Sequence, residues 1–352
     1  MNTAAEVNHS TPAVCKAVLV LPRLRVQNAN AISSPLTWGF PAVSAFTGLL
    51  TALERRLGPD AGINLYGVGV VCHGHEAQVT EGGFTRAFRL RKPAVRTAKE
   101  ALKLNNEGTP PAIIEEGLIH LDLTLVLDVE IGTQQTGEAE RQVLADRVAH
   151  ELAGMRLAGG SVMPALPTER RRPERPTLEL VPSLPEDQRK QFRRLARRLL
   201  PGFALVSRDD LLRRRLHELQ ANTPEATALD AWLDLSRWNH RAVPQAAPAD
   251  GGAPATVWET DSRAGWIVPI PVGYAALSEL HPAGSVAGAR DMLTPFRFVE
   301  SVWSMGQWIG PLRLQRLDEL FWFADHDASI GLYCCRNRYA ANLISADMAV
   351  QN

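Results

Sequence analysis

The stretch that decides the fold covers residues 22–46 and reads PRLRVQNANAISSPLTWGFPAVSAF. It follows an apolar run at residues 17–21 that is typical of a buried strand, and it leads into an apolar-periodic run at residues 46–57 that predicts a helix. A long polar loop lies between them. Loops held between a rigid strand and a rigid helix are where binding groups concentrate, so this loop is the first candidate for a functional site.

The loop carries side chains that suit an unstacked nucleotide. Hydrogen-bonding groups are available on Asn28, Asn30, Ser33 and Ser34, and stacking rings are available on Trp38 and Phe40. Two prolines, Pro35 and Pro41, fix local φ and reduce the cost of ordering the loop. Such a combination favours contact with single-stranded RNA. The alternative is a structural loop whose two rings fill the core.

Long ungapped blocks of this chain resemble a known family. Residues 21–50, LPRLRVQNANAISSPLTWGFPAVSAFTGLL, resemble the N-terminal region of the Csy2 family, the Cas-five-like subunit of the type I-F CRISPR surveillance complex. Further matching blocks begin at Gly67 (GVGVVCHGHEAQV), Ile113 (IIEEGLIHLDLTLVL), Gly154 (GMRLAGGSVMP), Arg193 (RRLARRLLPGFALVSR) and Gly265 (GWIVPIPVGYAALS). The resemblance covers nearly all of residues 18–339.

The order of elements predicts an α+β fold. Strands are expected at residues 17–26, 63–79 and 113–131 and, shorter, at 157–163, with helices at 42–57 and 137–157. The order β-α-β-β-α-β is that of a ferredoxin-like or RRM-like module. Residues 81–93 predict a basic β-arm, or thumb, inserted after the second strand, and a helical section follows the module. The arm carries Arg86, Arg89, Arg91 and Lys92, and its alternative interpretation is a solvated hairpin.

Composition limits the class of protein. The chain has 352 residues, 45% of them hydrophobic, and its 38 basic and 38 acidic residues give a net charge of zero, so any polyanion site must be a local patch. Its four cysteines, Cys15, Cys72, Cys334 and Cys335, show no C-x-x-C pair, which makes a disulfide framework or a zinc site improbable. No signal peptide or membrane span is recognisable, and a cytoplasmic protein without cofactor or metal is expected.

A local basic patch does occur between residues 170 and 215. This segment holds fourteen basic residues against six acidic ones. Within it, residues 186–200 predict a helix with Phe192, Leu195 and Leu199 facing the core, while the basic residues repeat at helical spacing along another side. Like charges at i, i+4 destabilise an isolated helix, which favours an anionic partner. The alternative is a solvated charged face.

The sequence also predicts how the chain is divided. We expect a disordered tail at 1–14, an RRM-like domain at 15–166 with its arm at about 80–115, a basic linker and helical section at 167–242, a flexible connector at 243–256, and a C-terminal part at 257–352. In the C-terminal part, residues 265–274 predict an edge strand because of Pro269 and Pro271, and residues 295–325 predict aromatic-rich helices that pack on the core or on another subunit.

Catalysis is the main alternative to binding. His73 and His75 lie two residues apart at a predicted strand end, with Glu76 beside them, and form the best candidate for a metal-independent ribonuclease that processes CRISPR RNA precursors. No third metal ligand can be assigned to them, and no Walker or dinucleotide glycine pattern appears.

The resemblance implies a non-catalytic RNA-binding subunit. It implies that the chain grips the 5′ handle of the CRISPR RNA, pairs with the large subunit for double-stranded DNA targeting, and contacts the first backbone (Cas-seven-like) subunit. Residues expected to contact RNA are Asn28, Asn30, Ser33, Ser34, Trp38, Phe40, Arg86, Arg89, Arg91, Lys92, Arg156, Arg189, Arg193, Arg194 and Arg197.

Overall fold

A computed structural model describes residues 14–83, 85–91, 113–164, 174–245, 256–263, 265–289 and 291–350 of the chain. In these ranges the chain forms six α-helices around one large antiparallel sheet. The prediction of a mixed α+β fold is therefore confirmed. The predicted N-terminal tail, the tip of the arm at 92–112 and most of the connector at 246–255 lie outside the described residues.

The helices are α1 (Val43–Leu57), α2 (Glu138–Ala153), α3 (Pro185–Arg198), α4 (Asp209–Gln220), α5 (Ala228–Ser236) and α6 (Tyr339–Val350). The N-terminal strands are β1 (Val14–Asn30), β2 (Ile32–Ser34), β3 (Thr37–Trp38), β4 (Ile63–Ala77), β5 (Val79–Gly82), β6 (Thr85–Arg91), β7 (Ile114–Glu116), β8 (Leu118–Gly132), β9 (Arg156–Leu157) and β10 (Gly160–Met163). The remaining strands are β11 (Thr177–Leu180), β12 (Phe203–Ser207), β13 (His240–Pro244), β14 (Thr256–Thr260), β15 (Trp266–Ala276), β16 (Val299–Ile309), β17 (Phe321–Asp327) and β18 (Leu332–Asn337).

Strands from both halves of the chain form the large sheet. Its order is β12-β16-β15-β18-β17-β4-β8-β1-β10-β9, and β11 pairs with β1 beside this path. The long strand β1 pairs with β8 from Val14 to Asn30, with two irregularities in register, between Leu21 and Leu24 and between Val26 and Ala29. These bulges coincide with left-handed backbone at Arg23 and Asn28. The second bulge turns the end of β1 towards the loop that follows it.

Both faces of the central strands are buried. On one face, alternate residues of β1 and β8 such as Leu19 and Leu125 pack with α1 and α2 in the main core. On the other face, Val20 and Val126 pack with Phe192 of α3 in a second cluster. Residues 121, 123, 125 and 127 of β8 face the main core, and α3 covers the opposite side of this strand at Val126. The centre of the sheet is therefore closed to ligands on both sides.

Four expectations about the later part of the chain are wrong. The predicted linker contains β11, which pairs with β1. Strand β12 separates α3 from α4, so the helices do not form one continuous bundle. The aromatic segment 295–325 forms strands β16 and β17 with two single-turn 3₁₀ helices between them, rather than α-helices. These differences share one cause, because long-range strand pairing overrides the local pattern in short apolar segments.

Strand β15 is the fourth correction, since it lies inside the sheet between β16 and β18 rather than at an edge. Both prolines pair along β16, whereas β18 pairs with β15 only at residues 273–275, beyond Pro269 and Pro271. The side of β15 next to the two prolines therefore has no described strand partner. A missing N–H costs no ladder hydrogen bond there, so proline is tolerated inside this sheet.

Candidate nucleic-acid interface

The loop after β1 is rigid because its own polar groups are paired. The Asn30 side chain accepts a hydrogen bond from the Ile32 N–H at 3.0 Å and donates to the Ile32 carbonyl at 2.8 Å. The hydroxyl of Thr37 lies 2.8 Å from Ser33 Oγ and 2.7 Å from Ser34 Oγ. Ser34 is buried and also accepts from Trp303 Nε1 at 2.9 Å. Ser34 thus positions the loop and is not available as a ligand contact.

A groove of about 630 Å³ lies beside this loop. Rings from distant parts of the chain meet in it, and three of them are about half exposed: Trp38 at 46%, Phe203 at 47% and Trp266 at 51%. Trp266 is held edge-on to Phe203, with 5.9 Å between the ring centroids. Exposed rings on rigid strands provide surfaces on which bases can stack.

The two aromatic residues of the loop have different roles. Phe40 stacks on Phe46 of α1 at 5.8 Å and meets Trp308 edge-on at 4.8 Å, so it closes the edge of the main core. Trp38 instead points to the groove and touches Phe88 of the arm edge-on, with 5.4 Å between the centroids. Both rings line the groove, but Phe40 also packs on the core, whereas Trp38 is 46% exposed.

The arm forms a small sheet, β5-β6-β7, and brings one basic side chain to the groove. Arg86 lines the groove and lies 3.3 Å from Glu81 in an exposed ion pair. Arg89 is exposed on the same strand, whose backbone pairs with β7 at Glu116. The side chain of Arg91 and all of Lys92 lie outside the described residues. Within the described arm, Arg86 is the basic residue that the structure brings to the loop.

A second cleft, of about 690 Å³, lies on the other side of the loop and shares Ser33 and Pro41 with the groove. The start of α1 and the turn at Ala158 and Gly159 line this cleft, and the Asn30 N–H donates to the Ala158 carbonyl at 2.8 Å. No side chain caps α1 at Ala42, and the N-terminal end of a helix is favourable for anions. The loop therefore forms a wall between an aromatic groove and a cleft suited to anions.

The turn beside this cleft is the glycine-containing turn that follows α2. Ala158 and Gly159 both have left-handed backbone, with φ of 48° and 77°. Arg156 is exposed and donates to the Gly159 carbonyl at 3.1 Å. The Arg156 guanidinium thus stabilises the turn through this hydrogen bond, and the Arg156 side chain remains exposed to solvent.

Asn28 is held by two residues that the sequence did not single out. The Asn28 N–H donates to His120 Nδ1 at 3.2 Å, so the ring proton of neutral His120 must sit on Nε2. The end of the Gln78 amide lies 2.9 Å from His120 Nε2 and 2.6 Å from the end of the Asn28 amide. The two donors that face Gln78, His120 Nε2–H and the Asn28 amide group, both find an acceptor when the Gln78 oxygen faces them and the Asn28 nitrogen faces Gln78. Asn28 then presents its own amide oxygen, an acceptor, to solvent.

The two histidines do not form a catalytic pair. His73 sits at a bulge in β4, where its Nδ1 donates to the Pro201 carbonyl at 2.6 Å. Because a carbonyl can only accept, Nε2 of the neutral ring is the acceptor, and it lies 2.7 Å from Thr124 Oγ1. His75 is exposed at the rim of the groove. No group of three or more metal-ligating side chains occurs within the described ranges.

Cys72, which also lines the groove, is a half-buried thiol. Burial raises the pKa of Cys72 to about 11. At neutral pH this thiol stays protonated and is a poor nucleophile or metal ligand.

Of the eleven basic residues that the structure describes between residues 174 and 215, six are paired with neighbouring acids. Ion pairs join Arg175 to Asp146, Lys190 to Asp187, Arg198 to Glu179, Arg208 to Asp210, Arg213 to Asp209, and Arg215 to both Glu218 and Asp234. Arg189, Arg193, Arg194 and Arg197 of α3 are exposed and have no ion-pair partner among the described residues. They are far along the chain from the loop, and α3 lies on the other face of the sheet.

Comparison with known proteins identifies the family of this chain. A family model described as CRISPR-associated protein (Cas_Csy2) matches residues 19–335. The chain is also 44% identical over 321 residues to the CRISPR-associated protein Csy2 of Pseudomonas aeruginosa (strain UCBPP-PA14). The aligned residues make up 90% of this chain and 94% of that protein. The fold and its groove thus belong to a CRISPR-associated protein. More specifically, the chain belongs to the Csy2 family, as its sequence blocks predicted.

None of the described helices is both long enough and apolar enough to cross a membrane.

Proposed function

We propose that this chain is a non-catalytic RNA-binding subunit of a type I-F antiviral surveillance complex, in which it holds the 5′ handle of the CRISPR RNA. The observation that carries the proposal is the groove beside the loop, where Trp38, Phe203 and Trp266 are each about half exposed. Three rings open to solvent on fixed strands offer stacking surfaces that a folded protein does not otherwise need.

The two cavities suit different parts of a nucleotide. Bases unstacked from the handle would lie on the rings of the groove, and their phosphates would lie near Arg86 or at the start of α1. The amide oxygen of Asn28 would accept a hydrogen bond from a base amino group. The covered sheet centre plays no part, so the contacts expected of an RRM-like sheet face are replaced by loop contacts.

A ferredoxin-like module is part of the proposal. The elements β1, α1, β4, β8, α2 and β10 follow one another along the chain, and the strands are neighbours in the order β4-β8-β1-β10. That order, with antiparallel pairs throughout, is the arrangement expected of such a module. In this proposal the arm extends from the module towards the backbone subunit, and exposed residues of the aromatic segment 295–325 contact the large subunit.

The ribonuclease alternative is not favoured. Both ring nitrogens of His73 already have partners, so this ring offers no free base. His75 is exposed, and no acidic side chain among the described residues is arranged beside it for proton transfer.

The test compares Trp38→Ala with Trp258→Ala in the chain assembled with its large subunit. Trp258 is 65% exposed but lies on β14, outside the groove, and serves as the matched control. Labelled CRISPR RNA with its own or a scrambled handle is then run on native and denaturing gels. Loss of handle preference in Trp38→Ala alone supports the proposal.

Two results would contradict it. Equal binding of both handles by the unmodified chain would rule out handle recognition. Metal-independent shortening of a precursor RNA that disappears in His75→Ala would favour the nuclease instead.

A further inference from the structure

We propose that the exposed side of α3 is a second surface for nucleic acid, which binds a phosphodiester backbone outside the groove. We call it the arginine row and define it as Arg189, Arg193, Arg194 and Arg197. These residues are exposed and have no ion-pair partner among the described residues. In a chain of zero net charge, this is an unbalanced cluster of positive charge.

The arginine row is mounted on a rigid support. The opposite side of α3 is buried through Phe192 and Ala196, which are 3% and 1% exposed, and Leu199 just after the helix is 2% exposed. These side chains pack against Val20 and Val126 of the sheet in the second cluster. Because α3 cannot turn without exposing this apolar side, the four arginine side chains all start from the solvent side of a fixed helix. A preformed charged surface loses less conformational entropy when a ligand binds.

The spacing of the row suits a linear polyanion. Arg189, Arg193 and Arg197 follow one another at intervals of four residues, so they rise by about 6 Å at each step along one side of the helix. Like charges at this spacing destabilise a helix by a few tenths of a kcal/mol per pair. The acids of α3, Glu186 and Asp187, lie in its first turn and leave the rest of the row uncompensated. A phosphate backbone along the helix would remove this repulsion.

The surroundings of the row favour nucleic acid over an acidic protein. Between Pro185 and Arg198, the exposed side of α3 presents only charged and amide side chains after its first residue, without an exposed large apolar residue in that span. Protein interfaces usually have an apolar centre that is depleted of charge, whereas nucleic-acid interfaces are strongly basic. The arginine row has the second composition.

The position of the row separates it from the groove. Helix α3 packs on one face of the sheet, and the loop and α1 pack on the other. The two surfaces approach each other at one point, where the Pro201 carbonyl just after α3 accepts from His73 at the groove. A phosphate backbone on the row would come either from RNA that leaves the groove past His73 or from duplex DNA. The chemistry of the site is the same for both sources.

The experiment compares two double variants of the full chain assembled with its large subunit. Arg193→Gln/Arg197→Gln removes two members of the row, and Lys190→Gln/Arg198→Gln removes two charges of the same helix that are paired with Asp187 and Glu179. Thermal melting verifies that both variants are folded. Binding of CRISPR RNA and of an unrelated 30-base-pair DNA duplex is measured against salt concentration.

The row variant should bind nucleic acid about 50-fold more weakly at 0.1 M salt. The slope of the logarithm of its association constant against the logarithm of salt concentration should become less steep by about two. The control variant should change much less because its charges are already compensated. A loss confined to CRISPR RNA would assign the row to the guide, and a loss confined to the duplex would assign it to DNA. Handle preference should survive in either case, because the groove is intact.

Three results would overturn the proposal. The first is an unchanged affinity for both nucleic acids in the row variant. The second is an equal loss in both double variants, which would indicate general charge attraction. The third is failure to assemble with the large subunit while RNA binding is intact, which would make the row a protein contact. None of these results bears on handle recognition, which Trp38→Ala tests separately.

Discussion

The indole Nε1 of Trp303 donates a hydrogen bond to Ser34 Oγ at 2.9 Å, and the two residues are 269 positions apart in the chain. This contact ties the loop after β1 to strand β16 of the C-terminal part. Ser34 also meets the Thr37 hydroxyl, so the bond orients the short β2–β3 hairpin as a whole. The loop that forms one wall of the groove therefore depends on a strand made much later.

Trp303→Phe keeps an aromatic ring but removes the donor together with one of the two rings of the indole. The loss of one neutral hydrogen bond should lower the free energy of unfolding by about 1 kcal/mol. Ser34→Ala also removes the contacts with the Thr37 hydroxyl and the Leu36 N–H, so it should cost more, and the double variant should be little worse than Ser34→Ala alone, as expected of direct partners. Chemical denaturation of the three variants checks this, and strictly additive losses would contradict it.

The two aromatic residues of the loop should respond differently to alanine. Phe40→Ala removes a ring that packs on Phe46 and Trp308, so it should lower stability by about 3 kcal/mol. Trp38→Ala should cost less than about 1 kcal/mol because the ring is 46% exposed, yet it should weaken RNA binding. Thermal melting and RNA titration of both variants separate the two roles. Equal melting temperatures would show that Phe40 does not close the core.

Gln78 should act as an acceptor for both His120 and Asn28. Gln78→Leu removes that acceptor from a site where Gln78 is only 7% exposed, and it should cost about 1–3 kcal/mol. Gln78→Glu provides two acceptor oxygens, so it should lower the free energy of unfolding by less than Gln78→Leu does between pH 6 and 8. The nitrogen chemical shifts of His120 report which ring nitrogen carries the proton. A proton on Nδ1 in the unmodified chain would contradict this assignment.

Cys72 should react slowly with thiol reagents although it lines the groove. Its pKa is raised from 9.0 to about 11, chiefly by burial, so the thiolate fraction at pH 8 falls by about 100-fold. Alkylation by iodoacetamide should accelerate as the pH rises towards 11. The same chain unfolded in denaturant is the control and should react at the ordinary rate. Rapid modification of folded Cys72 at pH 8 would show that the thiol is not buried.

His73 should prove structural. His73→Ala leaves the Pro201 carbonyl and the Thr124 hydroxyl without their ring partner and should cost about 1–3 kcal/mol. His75→Ala, an exposed neighbour on the same strand, should change stability by less than about 0.5 kcal/mol. Thermal melting distinguishes the two variants. A His73→Ala chain as stable as the unmodified one would contradict the role given to these hydrogen bonds.

The sequence predicted the elements whose patterns are local. Helix α1 was expected at 42–57 and is found at Val43–Leu57, because its apolar spacing and the stop at Gly58-Pro59 are both visible in the sequence. The long strands β1, β4 and β8 were found for the same reason, although β1 extends beyond its predicted range at both ends, β4 ends two residues earlier than predicted and β8 begins five residues later. Strand β15 was misplaced because its neighbours, β16 and β18, come from pairing that no local pattern records.

The candidate site was predicted only in part. Trp38 and Arg86 were named from the sequence, and the structure brings both to the groove. Phe203 and Trp266 were missed because they reach the groove through β12 and β15, which come from distant segments of the chain. Gln78 was missed because a single glutamine at a strand end carries no signal. Its role appears only through the bulge at Asn28 and the contact with His120.

Strand β4 pairs with β8 along one edge and with β17 and β12 along parts of the other edge. This second edge is therefore completed by segments that are synthesised more than a hundred residues later. During translation, the N-terminal half therefore emerges with an open strand edge and an unfinished groove. Such edges pair readily with other chains. Newly made chains should thus be most vulnerable to aggregation just before β17 leaves the ribosome, and the capacity to hold RNA should appear only once synthesis is nearly complete.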